Sequence, residues 1–181
     1  EQHIIVVWVD NESGVLARVV GLFSGRGYNI DSLAVAEVDK KKNISRITIS
    51  TSGTPQVLQQ IKLQLSKLVP VHKVANFPRD KKTLLREMAL LKVVSSSTQL
   101  QKAKKLCKKY KYTILDKTTK SFVFEVSALK REIDDLIKKL QPLGLASASR
   151  TGVVAMTKGS EIYKQTWGKI YENVIRKRCA S

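Results

Sequence analysis

From His3 to Asp10 the chain carries an apolar run, Ile4 to Val9, the pattern of a strand in a sheet interior. Over residues 14–26 the period changes. Val15, Leu16, Val19, Val20, Leu22 and Phe23 recur at helical spacing and make one apolar face. Ser13 supplies an N-cap, and Gly27 can take the left-handed position after the helix. Two strands follow, Ile30 to Val38 and Ile44 to Thr51, joined by the charged tip Asp39-Lys40-Lys41-Lys42-Asn43. Thr54-Pro55 is a cap followed by a first-turn proline, and it opens a helix with Leu58, Ile61, Leu65 and Leu68 on one side. Val69 to Val74 closes the set, with Pro70 marking an irregular or edge strand. The order β-α-β-β-α-β predicts a four-stranded antiparallel sheet with two helices on one face, the ferredoxin-like arrangement.

The second half repeats that order in different words. Arg86 to Val94 reads as a strand, and Ser95 to Thr98 offers caps for a helix striped by Leu100, Ala103, Leu106, Cys107 and Tyr110. Tyr112 to Asp116 pairs with Ser121 to Val126 across Lys117-Thr118-Thr119-Lys120. Leu129, Ile133, Leu136, Ile137 and Leu140 stripe a further helix that Pro142 and Gly144 end, and Leu145 to Met156 supplies a last, interrupted strand. The fold class is therefore α+β, with two ferredoxin-like βαββαβ domains. The first covers residues 1–78, a linker covers 79–85, the second domain covers 86–158, and a basic tail covers 159–181. In the tail, Ile162, Tyr163, Ile170, Tyr171 and Val174 stripe a final helix.

Composition narrows the classes. At 181 residues the chain can bury one core or two small ones, and no stretch approaches the roughly 20 apolar residues that a membrane span needs. The two cysteines, Cys107 and Cys179, lie far apart and make no disulfide framework, which points to a reducing compartment. The chain opens on Glu1 rather than Met, as after removal of a leader, so the absence of a targeting segment carries no weight. A net charge of +18 invites a nucleic-acid reading. Its distribution argues otherwise: residues 1–78 hold 9 basic and 6 acidic side chains, residues 79–181 hold 24 and 9. Much of that excess (Lys102, Lys104, Lys105, Lys108, Lys109, Lys111) reads as the solvated side of one helix, and lysine predominates over the arginine that grips phosphate bidentately.

The loop from Asn11 to Gly14 leaves backbone N–H groups at a helix N-terminus, where dipole and unpaired donors favour a carboxylate. The amides of Gly14, Val15 and Leu16 are the candidate anion holders, with the Asn11 amide beside them. The plain alternative is an ordinary capped helix with a glycine turn. Asn29 and Ile30 read locally as a turn residue and a core strand position. Asp10, Glu12 and Asp31 lie near the loop without a nucleophile or base beside them, so no catalytic residue is assigned. His3 and His72 have no metal-ligand partners at suitable spacing, and Gly25-Arg26-Gly27 matches no phosphate loop. The same element order also builds RNA recognition motifs, but Trp8 and the pair Phe122 and Phe124 come without the accompanying RNA-binding word.

The ordered words tell more. N-E-S-G-V-L-A-R-V-V-G-L-F-S (11–24) and R-G-Y-N-I-D-S-L-A-V (26–35) closely resemble the N-terminal ACT domain of the regulatory, or small, subunit of acetolactate synthase. Arg46-Ile47-Thr48-Ile49, Lys67-Leu68-Val69, Arg86-Glu87-Met88 and Arg150-Thr151-Gly152-Val153-Val154-Ala155 extend the likeness to about residue 159. The resemblance implies an effector-binding, dimerising ACT domain followed by an ACT-like domain without a ligand loop. It implies a site for a branched-chain amino acid (valine, leucine or isoleucine, with valine expected) at a homodimer interface. Asn11, Gly14, Val15 and Leu16 would come from one chain, Asn29 and Ile30 from the other. It further implies a non-catalytic chain with no cofactor of its own, no nucleic acid and no membrane. Its partner would be the catalytic large subunit, which carries thiamine diphosphate, magnesium and FAD. Bacterial cytoplasm, plastid stroma and mitochondrial matrix all suit such a protein.

Overall fold

The computed structural model describes residues 2–160. Two compact units share the described chain: one holds 2–31, 35–84 and 155–160, the other 32–34 and 85–154. In the first, β1 (Gln2–Asp10), α1 (Val15–Ser24), β2 (Ile30–Asp39), β3 (Ile44–Ser52), α2 (Pro55–Leu65) and β4 (Val71–Phe77) build a sheet of order β2-β3-β1-β4. Strand β1 pairs antiparallel with both β3 and β4. It reads as a continuous apolar run because Ile4, Ile5, Val6 and Val7 are all fully buried, although successive residues point to opposite faces. On the Trp8 face the Arg46 guanidinium lies 5.4 Å from the Trp8 ring and 5.7 Å from that of Phe77.

Helix α2 starts as its residues predict: Pro55 stands in the first turn and the Thr54 hydroxyl accepts the Val57 N–H at 3.3 Å. Helix α1 does not. Its N-cap is Gly14, not Ser13, and no side chain caps it. The closing strand also differs from its expected span of Val69 to Val74. Pro70 has no N–H to give a ladder, so the strand begins at Val71 and runs on to a buried Phe77.

The second half of the chain repeats the arrangement with β5 (Thr83–Val94), α3 (Ser97–Cys107), β6 (Lys111–Lys117), β7 (Ser121–Ala128), α4 (Lys130–Leu140) and β8 (Leu145–Arg150), followed by β9 (Val154–Thr157). The order is β6-β7-β5-β8, with β9 also on β5. Strand β5 begins three residues before Arg86, inside the segment read as linker. The expected last strand is two strands, broken at 151–153 where Gly152 takes φ 79°. Alternate residues of β7 are buried, and Phe122, Phe124 and Val126 meet Leu100, Ala103, Ile133 and Leu136 in a closed core. Helix α3 stops at Cys107, so Lys108 and Lys109 lie in the following turn and Lys111 starts β6, not one helix face. Cys107 is buried, which pushes its thiol up to about 12 and leaves it inert. The final helix expected in the tail, together with Cys179, falls outside the described residues.

One buried charge is well answered. The Glu87 carboxylate on β5 receives Arg150 bidentately, Nε at 2.7 Å and Nη2 at 2.8 Å, while Nη1 reaches Asp134 at 2.6 Å. Thr151 then extends the pairing, its N–H donating to the Met88 carbonyl at 3.1 Å. The Arg150-Thr151-Gly152 word is thus a clamp between β5, β8 and α4.

Candidate functional site

The loop between β1 and α1 is held from both sides. The Asp10 N–H donates to the Pro70 carbonyl at 2.9 Å, and its carboxylate meets His72 Nε2 at 2.6 Å. Asn11 is bound to the end of the β2–β3 hairpin by three hydrogen bonds. Its N–H donates to the Asn43 carbonyl at 2.7 Å, its carbonyl accepts from Asn43 Nδ2 at 3.2 Å, and its Oδ1 accepts the Ser45 hydroxyl at 3.0 Å. The Asn11 Nδ2 has no partner among the described residues.

Gly14 has φ 83° and ψ −9°, and a Cβ built on it would meet nothing within 4 Å. The backbone rotation, not crowding, requires glycine here. The Gly14 carbonyl accepts the Arg18 N–H at 3.0 Å and so opens the helix. The amides of Gly14, Leu16 and Ala17 have no partner among the described residues, whereas the Val15 N–H turns back to the Glu12 carbonyl at 3.4 Å. The first turn carries no acidic residue, so nothing in it offsets the positive end of the helix dipole. Val15 is buried beneath the loop, while Leu16 is 41% exposed beside the free amides. The Val15 amide, expected as an anion holder, is therefore the weakest of the set, and the Ala17 amide is one that the sequence did not single out.

The other end of α1 closes in a Schellman motif. Tyr28 N–H donates to the Phe23 carbonyl and Gly27 N–H to the Ser24 carbonyl, with Gly27 at φ 66° and the Phe23 and Tyr28 rings edge to face. Asn29 follows at once, its carbonyl accepting the buried Thr51 hydroxyl at 2.6 Å, and Ile30 starts β2. Asn29 Nδ2 donates to Asp31 at 2.8 Å. A ten-residue helix is about 15 Å long, so Asn11, Gly14, Val15 and Leu16 stand at one end of α1 and Asn29 and Ile30 at the other. One chain does not bring the two sets together. Strand β2 is an edge of its sheet and is mostly open, with Val35 45% and Val38 48% exposed.

Two family models divide the chain. One describes an AHAS small subunit-like ACT domain and matches residues 5–73; the other describes the small subunit of acetolactate synthase and matches residues 86–159. The acetolactate synthase small subunit of Haemophilus influenzae is 37% identical over 161 residues, covering 88% of this chain and 98% of that one. The isozyme 3 small subunit of Salmonella typhimurium is 35% identical, covering 90% and 99%. The crystal structure of the Thermotoga maritima acetolactate synthase small subunit superposes with a TM-score of 0.80 at 30% identity, covering 89% and 99%. The chain belongs to the acetolactate synthase small-subunit family.

The stretch matched by the ACT model contains all six candidate site residues of this small subunit. The RNA-binding alternative needs aromatics on an open sheet face, but Trp8 is 5%, Phe122 3% and Phe124 0% exposed. Among the described residues no three of His, Cys, Asp and Glu gather as metal ligands, and no helix is long and apolar enough to cross a membrane. Sequence reasoning passed over Thr51 and Ser45 and read Asp31 only as a carboxylate without a catalytic partner, whereas the three hold the candidate site's two asparagines. Only Asp31 was within reach, since it stands two positions from Asn29.

Proposed function

We propose that this chain is the regulatory subunit of an acetolactate synthase in branched-chain amino-acid biosynthesis. Two ACT domains pair and bind a branched-chain amino acid, valine in the first place, at each end of their shared interface. The observation that carries this reading is the set of unpartnered amides at the start of α1; Asn29 and Ile30, expected to complete the site, stand at the other end of the helix, where a second copy would supply them. The free amides of Gly14, Leu16 and Ala17 receive the effector carboxylate at the uncompensated helix end, with Asn11 Nδ2 beside them. Leu16 of one chain and Ile30 of the other give the branched side chain apolar surface. The large subunit, a separate chain, carries thiamine diphosphate, magnesium and FAD and condenses pyruvate with pyruvate or 2-oxobutyrate. A coupling of about 1–3 kcal/mol between effector site and partner contact suffices for feedback control.

The test combines calorimetry with the three branched-chain amino acids and an assay of acetolactate formation by a cognate catalytic subunit. The expected result is stimulation by this chain, reversed by valine, with saturable valine binding of one molecule per protomer. Stimulation without binding of any of the three amino acids overturns the effector reading. No stimulation at all overturns the regulatory one.

A further inference from the structure

The carboxylate of Asp31 is exposed, yet it is fully engaged. Its Oδ1 accepts Asn29 Nδ2 at 2.8 Å, and its Oδ2 accepts Ser52 Oγ at 2.8 Å and Gln2 Nε2 at 3.2 Å. Gln2 is held in turn, its Oε1 accepting from the Arg79 guanidinium. A carboxylate can only accept, so the Asn29 amide must present nitrogen to it and not oxygen. The Asn29 backbone is pinned independently by the Thr51 hydroxyl. With both main chain and amide plane fixed, Asn29 Oδ1 is left as the unengaged pole among the described residues.

The two asparagines of the site therefore show opposite poles. Asn11 gives its Oδ1 to Ser45 and leaves its Nδ2 as the unengaged end; Asn29 gives one Nδ2 hydrogen to Asp31 and leaves its Oδ1 as the unengaged end, backed by a negative charge. The donor lies beside free amides that suit a carboxylate, and the acceptor suits an ammonium.

We propose that Asp31 is a positioning residue of the effector site, holding Asn29 with its oxygen outward so that the site takes a zwitterionic α-amino acid and rejects the α-keto acid with the same side chain. This rests on the effector reading above. The keto acid keeps the carboxylate and the apolar branch but has no donor for Asn29 Oδ1. Its own carbonyl oxygen faces that acceptor and the Asp31 charge, and such an unmatched polar pair is what rejects a near-isostere.

Calorimetry on the full chain tests it with four variants, each against valine and against the α-keto acid of valine. Asp31→Asn and Asp31→Ala free the Asn29 amide to turn. Each is expected to weaken valine binding about tenfold or more and to shrink the preference for valine over the keto acid by a similar factor. The exchanged pair Asn29→Asp with Asp31→Asn again points one oxygen outward, and is expected to recover both affinity and preference. A purely structural role for Asp31 would not move the ratio of the two ligands, nor be rescued by the exchange. Gly14→Asp is the control for the site itself. If Gly14→Asp abolishes valine binding while the Asp31 variants keep the parent's affinity and preference, the role of Asp31 is refuted and the effector site stands. If Gly14→Asp binds valine as the parent does, the effector reading fails and this inference fails with it.

Discussion

At Gly14 the backbone and the ligand make separate demands, and two substitutions tell them apart. Gly14→Ala adds a methyl group that meets nothing within 4 Å, but it forces an L-residue to φ 83°. The expected loss is about 1 kcal/mol of stability, read as a lower urea midpoint, with effector binding largely kept. Gly14→Asp adds the same strain and also places a carboxylate beside the Leu16 and Ala17 amides, the position proposed for the effector carboxylate. It is expected to abolish inhibition by valine while leaving stimulation of the catalytic subunit largely intact. Asn29→His should do the same from the other chain, since an imidazole cannot keep both the Asp31 bond and an outward oxygen. Inhibition of both Gly14→Asp and Asn29→His at the parent's valine concentration would place the effector elsewhere.

Among the elements, β5, β8 and α4 are joined through one arginine. Glu87 is 3% exposed, and its two oxygens are met by Nε and Nη2 of Arg150. Arg150→Ala leaves that carboxylate buried and unpaired, and a loss of about 3 kcal/mol is expected in urea unfolding. Arg150→Lys recovers only part, because an ammonium cannot form the parallel pair of bonds. Arg150 is held above its ordinary value, first by its hydrogen bond to Glu87, so it stays charged throughout. Asp134 is held below the ordinary carboxylate range: burial pulls it up, but the hydrogen bonds from Arg150 and Lys130 outweigh that pull. A depressed carboxyl stabilises the fold above its unfolded value, and that contribution disappears as pH falls through the folded value. The thermal midpoint should therefore fall on acidification below the ordinary carboxylate range, and Asp134→Asn should flatten that part of the profile. This clamp was not legible in the sequence, where Glu87 and Arg150 stand 63 positions apart and meet only through the β5–β8 register. The element order was legible, because each change of hydrophobic period and the Thr54-Pro55 cap are local signals. The start of α1 was misread for a physical reason: a left-handed glycine can open a helix without any side-chain cap, and no cap-forming residue type announces it. The supports of Asn11 and Asn29 were hidden for another reason, since Ser45 and Thr51 act through pairing that only the folded sheet creates.

For the whole molecule, the open edge strand β2 and the proposed effector site, with its residues at both ends of α1, call for a second copy. Sedimentation at micromolar concentration is expected to show at least a dimer without the catalytic subunit; a monomer that still binds valine tightly would refute the shared site. Charge makes a further demand at this scale. Residues 79–181 hold 24 basic against 9 acidic side chains, and Lys102, Lys105, Lys108, Lys109 and Lys111 are all exposed. Counterion release requires nothing but such charges, so weak and sequence-independent RNA binding is expected at low salt. Selective reading of single-stranded bases requires stacking faces, and Trp8, Phe122 and Phe124 are spent on the interior. Near 150 mM salt, where screening shortens to about 8 Å, that RNA binding should fade while stimulation of acetolactate formation persists. The comparison is between filter binding of unrelated RNAs and the stimulation assay at the same ionic strength. Tight, sequence-selective RNA binding at that salt, with no stimulation of a cognate catalytic subunit, would overturn both the regulatory reading and the view of these lysines as solvated surface charge.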